Sequence, residues 1–342
     1  MPGAPADVTS DRARARVTDA GVHRIAVPTP FLVGRVNTYL VEDDPLTLVD
    51  AGPNSATSLT ALENQLAALG HAVEDLDRIV ITHQHIDHIG LVQLLVDRSG
   101  AEVCALDRLA PWLAHYAEAM DADDEFAEAV MERHGIPSDL RLGLRAVVKQ
   151  YRAWGGPAQV DTPLPDGGRL AFGDRTWTVH HRPGHSPSDT VFHDEARRML
   201  IGGDHLIGHI SSNPLVSRPL EGGDPEDRPR ALLAYMASMR ATATMDLDVV
   251  LPGHGELVTN HRELVEERLG MHERRAEKIA TLIADGPVTA FEIAQSMWGN
   301  IAVTQAYLTL SEVLGHVDLL LGRGEVVEER DAEGVTRFLL PG

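Results

Sequence analysis

The chain of 342 residues contains only one cysteine, Cys104, and this excludes an intrachain disulfide framework. We expect Cys104 to lie buried in a strand, within AEVCALD. The sequence also lacks an apolar run of about 18 residues, the length that a membrane-spanning helix needs. The first residues, MPGAPADVTSDRARAR, carry no apolar segment typical of a signal peptide. These absences predict a cytoplasmic protein with no membrane partner.

Basic residues are also scarce, since 30 Lys and Arg stand against 51 Asp and Glu, which gives a net charge of −21. A surface of this charge repels the phosphate backbone of nucleic acids. We therefore expect no nucleic-acid partner. The length is typical of two domains or three.

Histidine, by contrast, is frequent, and its densest cluster follows the predicted strand DRIVIT. There the sequence reads His83-Gln84-His85-Ile86-Asp87-His88. In an extended segment, residues i and i+2 point to the same side, so His83 and His85 can bind one ion. The chain then turns and presents Asp87 and His88 to a second ion nearby. Imidazole and carboxylate groups bind zinc well and also suit iron or manganese.

Three more candidate ligands follow later hydrophobic runs, where neighbouring glycines allow sharp turns. They are His185 in HHRPGHS, Asp204 in MLIGGDH and His254 in VVLPGHG. If these runs are strands that end at one edge of a sheet, the three side chains meet the first cluster.

This set of motifs, together with the early TLVDAG that contains Asp50, resembles the metallo-β-lactamase superfamily over about residues 21–260. The resemblance implies an α/β fold, an αββα sandwich with a dinuclear site at one edge. By that match, His83, His85 and His185 hold one metal ion and Asp87, His88 and His254 hold the other. Asp204 bridges both ions, and Asp50 supports the ligands through hydrogen bonds.

The chemistry expected from such a site is hydrolysis, with two divalent ions, zinc before iron or manganese, as cofactors. Two ions that share a water lower its pKa, and the metal-bridging hydroxide attacks a thioester or ester carbonyl. Asp87 is the candidate catalytic residue, because it can orient that hydroxide. The alternatives are a lactonase, a phosphodiesterase or ribonuclease, and a non-catalytic regulatory module that keeps the metal site.

The chain divides by pattern into three parts. Residues 1–20 are predicted to be a flexible tail, and 21–260 form the main domain with a helical insertion at about 108–157. Residues 261–342 contain helical patterns followed by a hairpin, which resembles a winged-helix-like unit. That unit is acidic, which disfavours phosphate binding. A structural or homodimer-forming role is the better expectation, with completion of the substrate cleft as a further role.

The insertion carries features that suit a substrate pocket. Large apolar residues, including Trp112, Tyr116 and Leu144, either form a roof over the metal site that holds a small acyl group or pack the helices against the body of the domain. Basic residues recur along one helix and would attract a phosphorylated carrier such as coenzyme A, or else form a solvated face; they are Arg141, Arg145, Lys149 and Arg152. Downstream, His205 is expected to donate a hydrogen bond to the developing oxyanion or to support the metal loop.

Overall fold

The computed structural model describes residues 8–342 and contains two β-sheets that pack face to face. The first sheet has six strands in sequence order, antiparallel from β1 to β3 and parallel from β3 to β6. Its strands are β1 (Val22–Val27), β2 (Val36–Val41), β3 (Thr47–Val49), β4 (Arg78–Val80), β5 (Glu102–Leu106) and β6 (Thr162–Leu164).

The second sheet has five strands in the order β11-β10-β9-β8-β7, and all neighbours are antiparallel except β10 and β11. Its strands are β7 (Arg169–Ala171), β8 (Thr176–His181), β9 (Thr190–Asp194), β10 (Met199–Gly203) and β11 (Val249–Pro252). In this arrangement β8, β10 and β11 run in one direction, so the loops that follow them leave the sheet at the same edge.

Helices surround the paired sheets. They are α1 (Val8–Asp19), α2 (Ala56–Ala68), α3 (Ile86–Ile89), α4 (Val92–Ser99), α5 (Ala110–Ala114), α6 (Tyr116–Arg133), α7 (Ser138–Tyr151), α8 (Ala231–Ala243), α9 (His261–Ile283), α10 (Ala290–Trp298), α11 (Ile301–Thr304) and α12 (Ala306–Arg323). Within the described residues, no helix combines the length and the apolar composition needed to cross a membrane.

Alternating side chains of the strands build the layers. On β4, Val80 packs between the two sheets, whereas Ile79 packs against the helices outside the first sheet. On β10, Ile201 faces the first sheet and Leu200 faces the helices outside the second sheet. This period of two buries both faces of each strand and confirms the predicted αββα sandwich. Cys104 lies in β5 between the sheets, as expected, and is a free thiol.

The N-terminal segment differs from the sequence prediction. Where a flexible tail was expected over residues 1–20, residues Val8–Asp19 form α1. Ala13 and Val17 lie one helical turn apart and are buried against the core between the sheets. Because residues 8–19 are mostly charged or polar, little in the sequence indicated that two apolar side chains pack against the core. Residues 1–7 of that predicted tail lie outside the described residues.

The helices and the hairpin after residue 260 follow the predicted order. Thr289 caps α10 in a capping box with Glu292, and the hairpin consists of β12 (Val327–Arg330) and β13 (Thr336–Leu339). Helices α9, α10 and α12 share one continuous hydrophobic core with α8 and the outer face of the second sheet. The winged-helix assignment and the domain boundaries remain predictions.

Candidate metal centre

Three histidines form the first group of ligand-type side chains. His83 and His85 lie in the loop after β4, and His185 lies in the loop between β8 and β9. His83 Nε2 is 3.1 Å from His85 Nδ1, and His185 Nε2 is 2.9 Å from the same atom. Three ring nitrogens so close together form a suitable face for one metal ion.

Asp87, His88 and His254 form the second group, at the start of α3 and after β11. His254 Nε2 is 3.3 Å from Asp87 Oδ2. Asp204, which follows β10, lies between the two groups: Oδ2 is 3.5 Å from His185 Nε2 and 3.4 Å from His254 Nε2, and Oδ1 is 3.5 Å from His88 Nε2. The structure therefore brings all seven predicted ligands together, with one carboxylate next to both groups.

Two buried atoms of this centre test whether it suits metal ions. His88 Nε2 and Asp204 Oδ1 are inaccessible to water and have no hydrogen-bond partner among the described residues. Orphaned polar atoms are costly in a protein interior, and a cation between them satisfies both. Gly253 is required here because a Cβ at that position would overlap Asp204 Oδ1. The donor set and the orphaned atoms fit divalent ions.

The far nitrogens of the histidines are held by groups that fix each ring. His254 Nδ1 donates to the Arg35 carbonyl oxygen at 2.8 Å, and His185 Nδ1 donates to the Asn213 carbonyl oxygen at 3.2 Å. A carbonyl only accepts, so a proton lies on Nδ1 of each ring, and Nε2 is the nitrogen that faces the metal position. This is the usual outer-shell arrangement of ligating histidines.

Asp50, which is expected from the sequence to support the ligands, acts on two rings in a similar way. It follows β3 with a positive φ of 58°, and its carboxylate accepts from His88 Nδ1 at 2.8 Å. It also accepts from the Thr82 hydroxyl at 2.8 Å, and that oxygen lies 3.0 Å from His83 Nδ1. One carboxylate thus orients a histidine in each group.

The two groups differ in their electrostatics. Burial lowers the pKa of His85 to about 3 and also lowers the pKa of His83, so both rings are neutral at pH 7. Burial acts in the same direction on His254, but Asp204 and Asp87 outweigh it and raise the pKa of His254 to about 10. An ion that binds the second group must therefore displace a proton.

The metal centre forms one wall of a cavity of about 970 Å³. Its other walls are mostly apolar and come from the helical insertion, the loop after β1 and the C-terminal helices. Representative lining residues are Phe31, Leu32, Trp112, Phe126, Leu144, Val148, Tyr151, Ile301 and Leu308. Of the insertion residues expected to form the roof, Trp112 and Leu144 line the cavity, whereas Tyr116 packs in the core and does not. Residues after 261 also contribute to the walls. The sequence did not single out Phe31 and Leu32, although the apolar FLV after PTP was a usable signal.

The basic residues of α7, and Arg152 directly after it, have unequal surroundings. Arg141 and Arg152 form ion pairs with acidic residues of α6. Arg145 lines the cavity and Lys149 is exposed, and neither forms an ion pair within residues 8–342. The predicted basic face is thereby reduced to two exposed cations, of which Arg145 lines the cavity.

His205 lies apart from this wall. His205 Nε2 is 2.8 Å from the Thr242 hydroxyl of α8, and the ring packs edge-on against Tyr235. The residue does not line the cavity, so the geometry favours support of the loop after Asp204 over contact with an oxyanion.

Facing sheets with histidines and aspartates at one edge define the fold and site of a metallo-hydrolase. Residues 32–254 match the family described as the metallo-beta-lactamase superfamily, and the chain belongs to it. It is 35% identical over 305 residues to the "Probable metallo-hydrolase YqjP" of Bacillus subtilis (strain 168), covering 89% of this chain and 93% of that protein. It is 30% identical over 181 residues to the "Acyl-coenzyme A thioesterase MBLAC2" of Homo sapiens, covering 50% of this chain and 58% of that protein.

The same architecture is found in solved structures. The crystal structure of a metallo-beta-lactamase family protein from Thermus thermophilus matches with a TM-score of 0.78 and 25% identity, over 94% of this chain and 99% of that chain. A beta-lactamase domain protein from Burkholderia ambifaria matches with a TM-score of 0.75 and 28% identity, over 94% and 93% of the two chains. Both likenesses extend beyond the region matched by the family and include the C-terminal helices.

Proposed function

We propose that the chain is a dinuclear metal-dependent hydrolase that cleaves thioesters or esters of apolar acyl groups. The observation that carries this proposal is the position of the ligands: the two metal-binding groups open directly into a cavity whose other walls are mostly apolar. A carbonyl at the metal centre and an acyl chain along the cavity satisfy both features at once.

The roles of the side chains follow from their positions. Bound divalent ions, zinc in the first instance, would supply a Lewis acid and lower the pKa of a coordinated water. Asp87 lines the cavity beside His254, so its carboxylate can accept a hydrogen bond from the attacking water and orient it. Hydrolysis joins the water oxygen to the carbonyl carbon and breaks the C–S or C–O bond, and the leaving group takes up a proton.

Two observations favour an acyl-coenzyme A thioester over a simple ester. Arg145 places positive charge at the cavity, and the exposed Lys149 lies one turn further along the same helix, so phosphate groups of a carrier would be attracted there. The human relative whose sequence similarity covers half of this chain is named an acyl-coenzyme A thioesterase. The net charge of −21 argues against nucleic acid as the substrate. Cytoplasmic location and a homodimer complete the proposal.

The test is a hydrolase panel with metal-reconstituted protein: acyl-coenzyme A thioesters of increasing chain length, simple esters, lactones, phosphodiesters and β-lactams. We expect kcat/KM to be greatest for thioesters and to increase with chain length until the cavity is filled. A preference for lactones would show that the substrates are cyclic esters. A preference for phosphodiesters would show that the enzyme does not act on acyl groups. Activity that survives complete removal of metal would refute the mechanism.

A pair of variants on one helix ties chain-length selectivity to the cavity. Leu144 of α7 lines the cavity, whereas Leu142 on the same helix is 69% exposed and does not. Leu144→Glu places a charge among apolar walls, so we expect KM for long-chain thioesters to increase at least tenfold. Leu142→Glu is the matched control and leaves KM unchanged. Equal effects of the two substitutions on KM would show that the cavity does not bind the acyl chain.

A further inference from the structure

A second cluster of metal-ligating side chains lies outside the centre described above. His272 of α9 and Glu312 and His316 of α12 each offer one ligand atom, and these atoms all lie within 4.8 Å of one another. All three side chains are buried. No step of the proposed hydrolysis uses them.

The facing ring nitrogens of His272 and His316 are about as far apart as those of the histidines in the first centre. His272 Nδ1 is 3.2 Å from His316 Nε2, against 2.9 and 3.1 Å between the ring nitrogens of His83, His85 and His185. Two imidazole nitrogens on a tetrahedral zinc ion, each at about 2.0–2.1 Å, lie roughly 3.3 Å apart. The pair is therefore already at the separation that zinc requires.

His316 also carries the outer-shell contact of a ligating histidine. Its Nδ1 donates to the Glu312 carbonyl oxygen at 2.6 Å, which leaves the Nε2 lone pair facing His272. His254 and His185 are held by carbonyls in the same way. Burial lowers the pKa of His272 to about 3 and lowers the pKa of His316, so both rings are neutral at pH 7.

His272 offers its ligand atom from inside the core. Only 1% of the residue surface is exposed, and Nδ1 is the ring nitrogen that faces His316. With an ion on Nδ1, the proton of the neutral ring lies on Nε2.

Glu312 supplies the anionic ligand and access for an ion. Its carboxylate pairs with Arg275, but a carboxylate has about four lone-pair sites and can accept Arg275 while it binds an ion. Both residues line the large cavity, so an ion and its water have a route from solvent.

We propose that His272, Glu312 and His316 form a third metal site, which binds one divalent transition-metal ion such as Zn²⁺ and joins α9 to α12. Because α9 and α12 pack on α8 and on each other, the ion would fix the C-terminal helices that close the cavity. The site differs from the catalytic centre in ligands and in position, and its occupancy does not depend on the hydrolytic activity.

The experiment counts zinc in the full chain. Protein stripped with a chelator is reloaded with Zn²⁺, freed of excess ion by gel filtration and analysed by inductively coupled plasma mass spectrometry. We expect His316→Leu to bind one ion fewer per chain than the wild type, while the ions of the catalytic centre remain. The control is His134→Leu, a second buried histidine with an unpartnered ring nitrogen but no neighbouring ligands among the described residues, which keeps the wild-type count.

Anomalous diffraction from wild-type crystals, recorded above and below the zinc edge, decides the question even if His316→Leu does not fold. A peak between the rings of His272 and His316 supports the third site. Absence of that peak, or an equal zinc count in the wild type and a folded His316→Leu variant, overturns it. Loss of thioesterase activity in the panel would bear on the proposed reaction alone, since neither the count nor the peak measures turnover.

Discussion

The Asp50→Asn substitution tests how the metal centre is organised without removing any predicted ligand. The Asp50 carboxylate binds His88 directly and reaches His83 through the Thr82 hydroxyl. In Asp50→Asn, one carboxylate oxygen becomes an amide that donates instead of accepting. An amide nitrogen opposite His88 Nδ1 forces the proton of that ring to Nε2, which is the atom that faces Asp204 and the metal position.

The expected magnitude follows from these contacts. Loss of an outer-shell partner of a ligating histidine typically lowers metal affinity 10–100-fold, or about 1.4–2.7 kcal/mol. Because Asp50 supports one histidine in each group, we expect weaker binding of both ions rather than one. Asparagine is the appropriate substitution, since it tolerates the positive φ of 58°, whereas alanine would add roughly 1–2 kcal/mol of backbone strain.

The assay is competition for Zn²⁺ against a chromophoric chelator, with thermal unfolding of the metal-free protein measured in parallel. Asp194→Asn is the matched control, because Asp194 is equally buried but lies at the other end of the second sheet and binds Arg197. Wild-type affinity for both ions in Asp50→Asn would refute the reasoning. A similar loss in the Asp194→Asn protein would attribute the effect to general destabilisation.

Three further changes have defined outcomes. Asp204→Ala should release both ions of the catalytic centre, because this carboxylate contacts both groups; two retained ions in that centre, seen by anomalous diffraction, would contradict its bridging position. Reversal of Arg145 and Lys149 to glutamate should increase KM for coenzyme A thioesters but not for simple esters, and equal steady-state effects on both would exclude carrier binding. Asp318→Ala leaves the mostly buried Arg228 side chain without its bidentate partner. We expect the free energy of unfolding, measured by urea titration, to fall by about 3–5 kcal/mol. An unchanged unfolding midpoint would show that the ion pair contributes nothing to stability.

Much of the candidate metal centre could be predicted from the sequence, because local geometry and the resemblance to the metallo-β-lactamase superfamily point to the same residues. His83 and His85 are two residues apart in an extended segment, and Asp204 and His254 end neighbouring parallel strands. Strand ends that share a direction leave the sheet at one edge, so distant residues converge without any knowledge of side-chain contacts. The histidines and aspartates could therefore be predicted as candidate ligands from residue type and strand position, and the family resemblance supplied their grouping.

Other features depend on partners that are distant in the chain, and these were not predictable. Arg141 and Arg152 looked equivalent to Arg145 on the helix, but acidic residues of α6 neutralise the first two. The spacing of His272 and His316 carried no metal motif, because the two residues belong to different helices whose packing sets their 3.2 Å separation. His205 adjoins a ligand in sequence, yet its ring turns toward α8.

Helix α7 shows how the acidic chain and the apolar cavity act together. Ion pairs from Arg141 and Arg152 to α6 hold both ends of the helix, but none of its residues is buried. Its inward side chains, Leu144 and Val148, line the cavity, and Val148 is 37% exposed. An acyl chain in the cavity removes this surface from water, at about 25 cal/mol per Å². The helix thus contributes binding energy only when an apolar ligand is present, and under the proposed function its two unpaired cations would favour an acyl group carried by an anion.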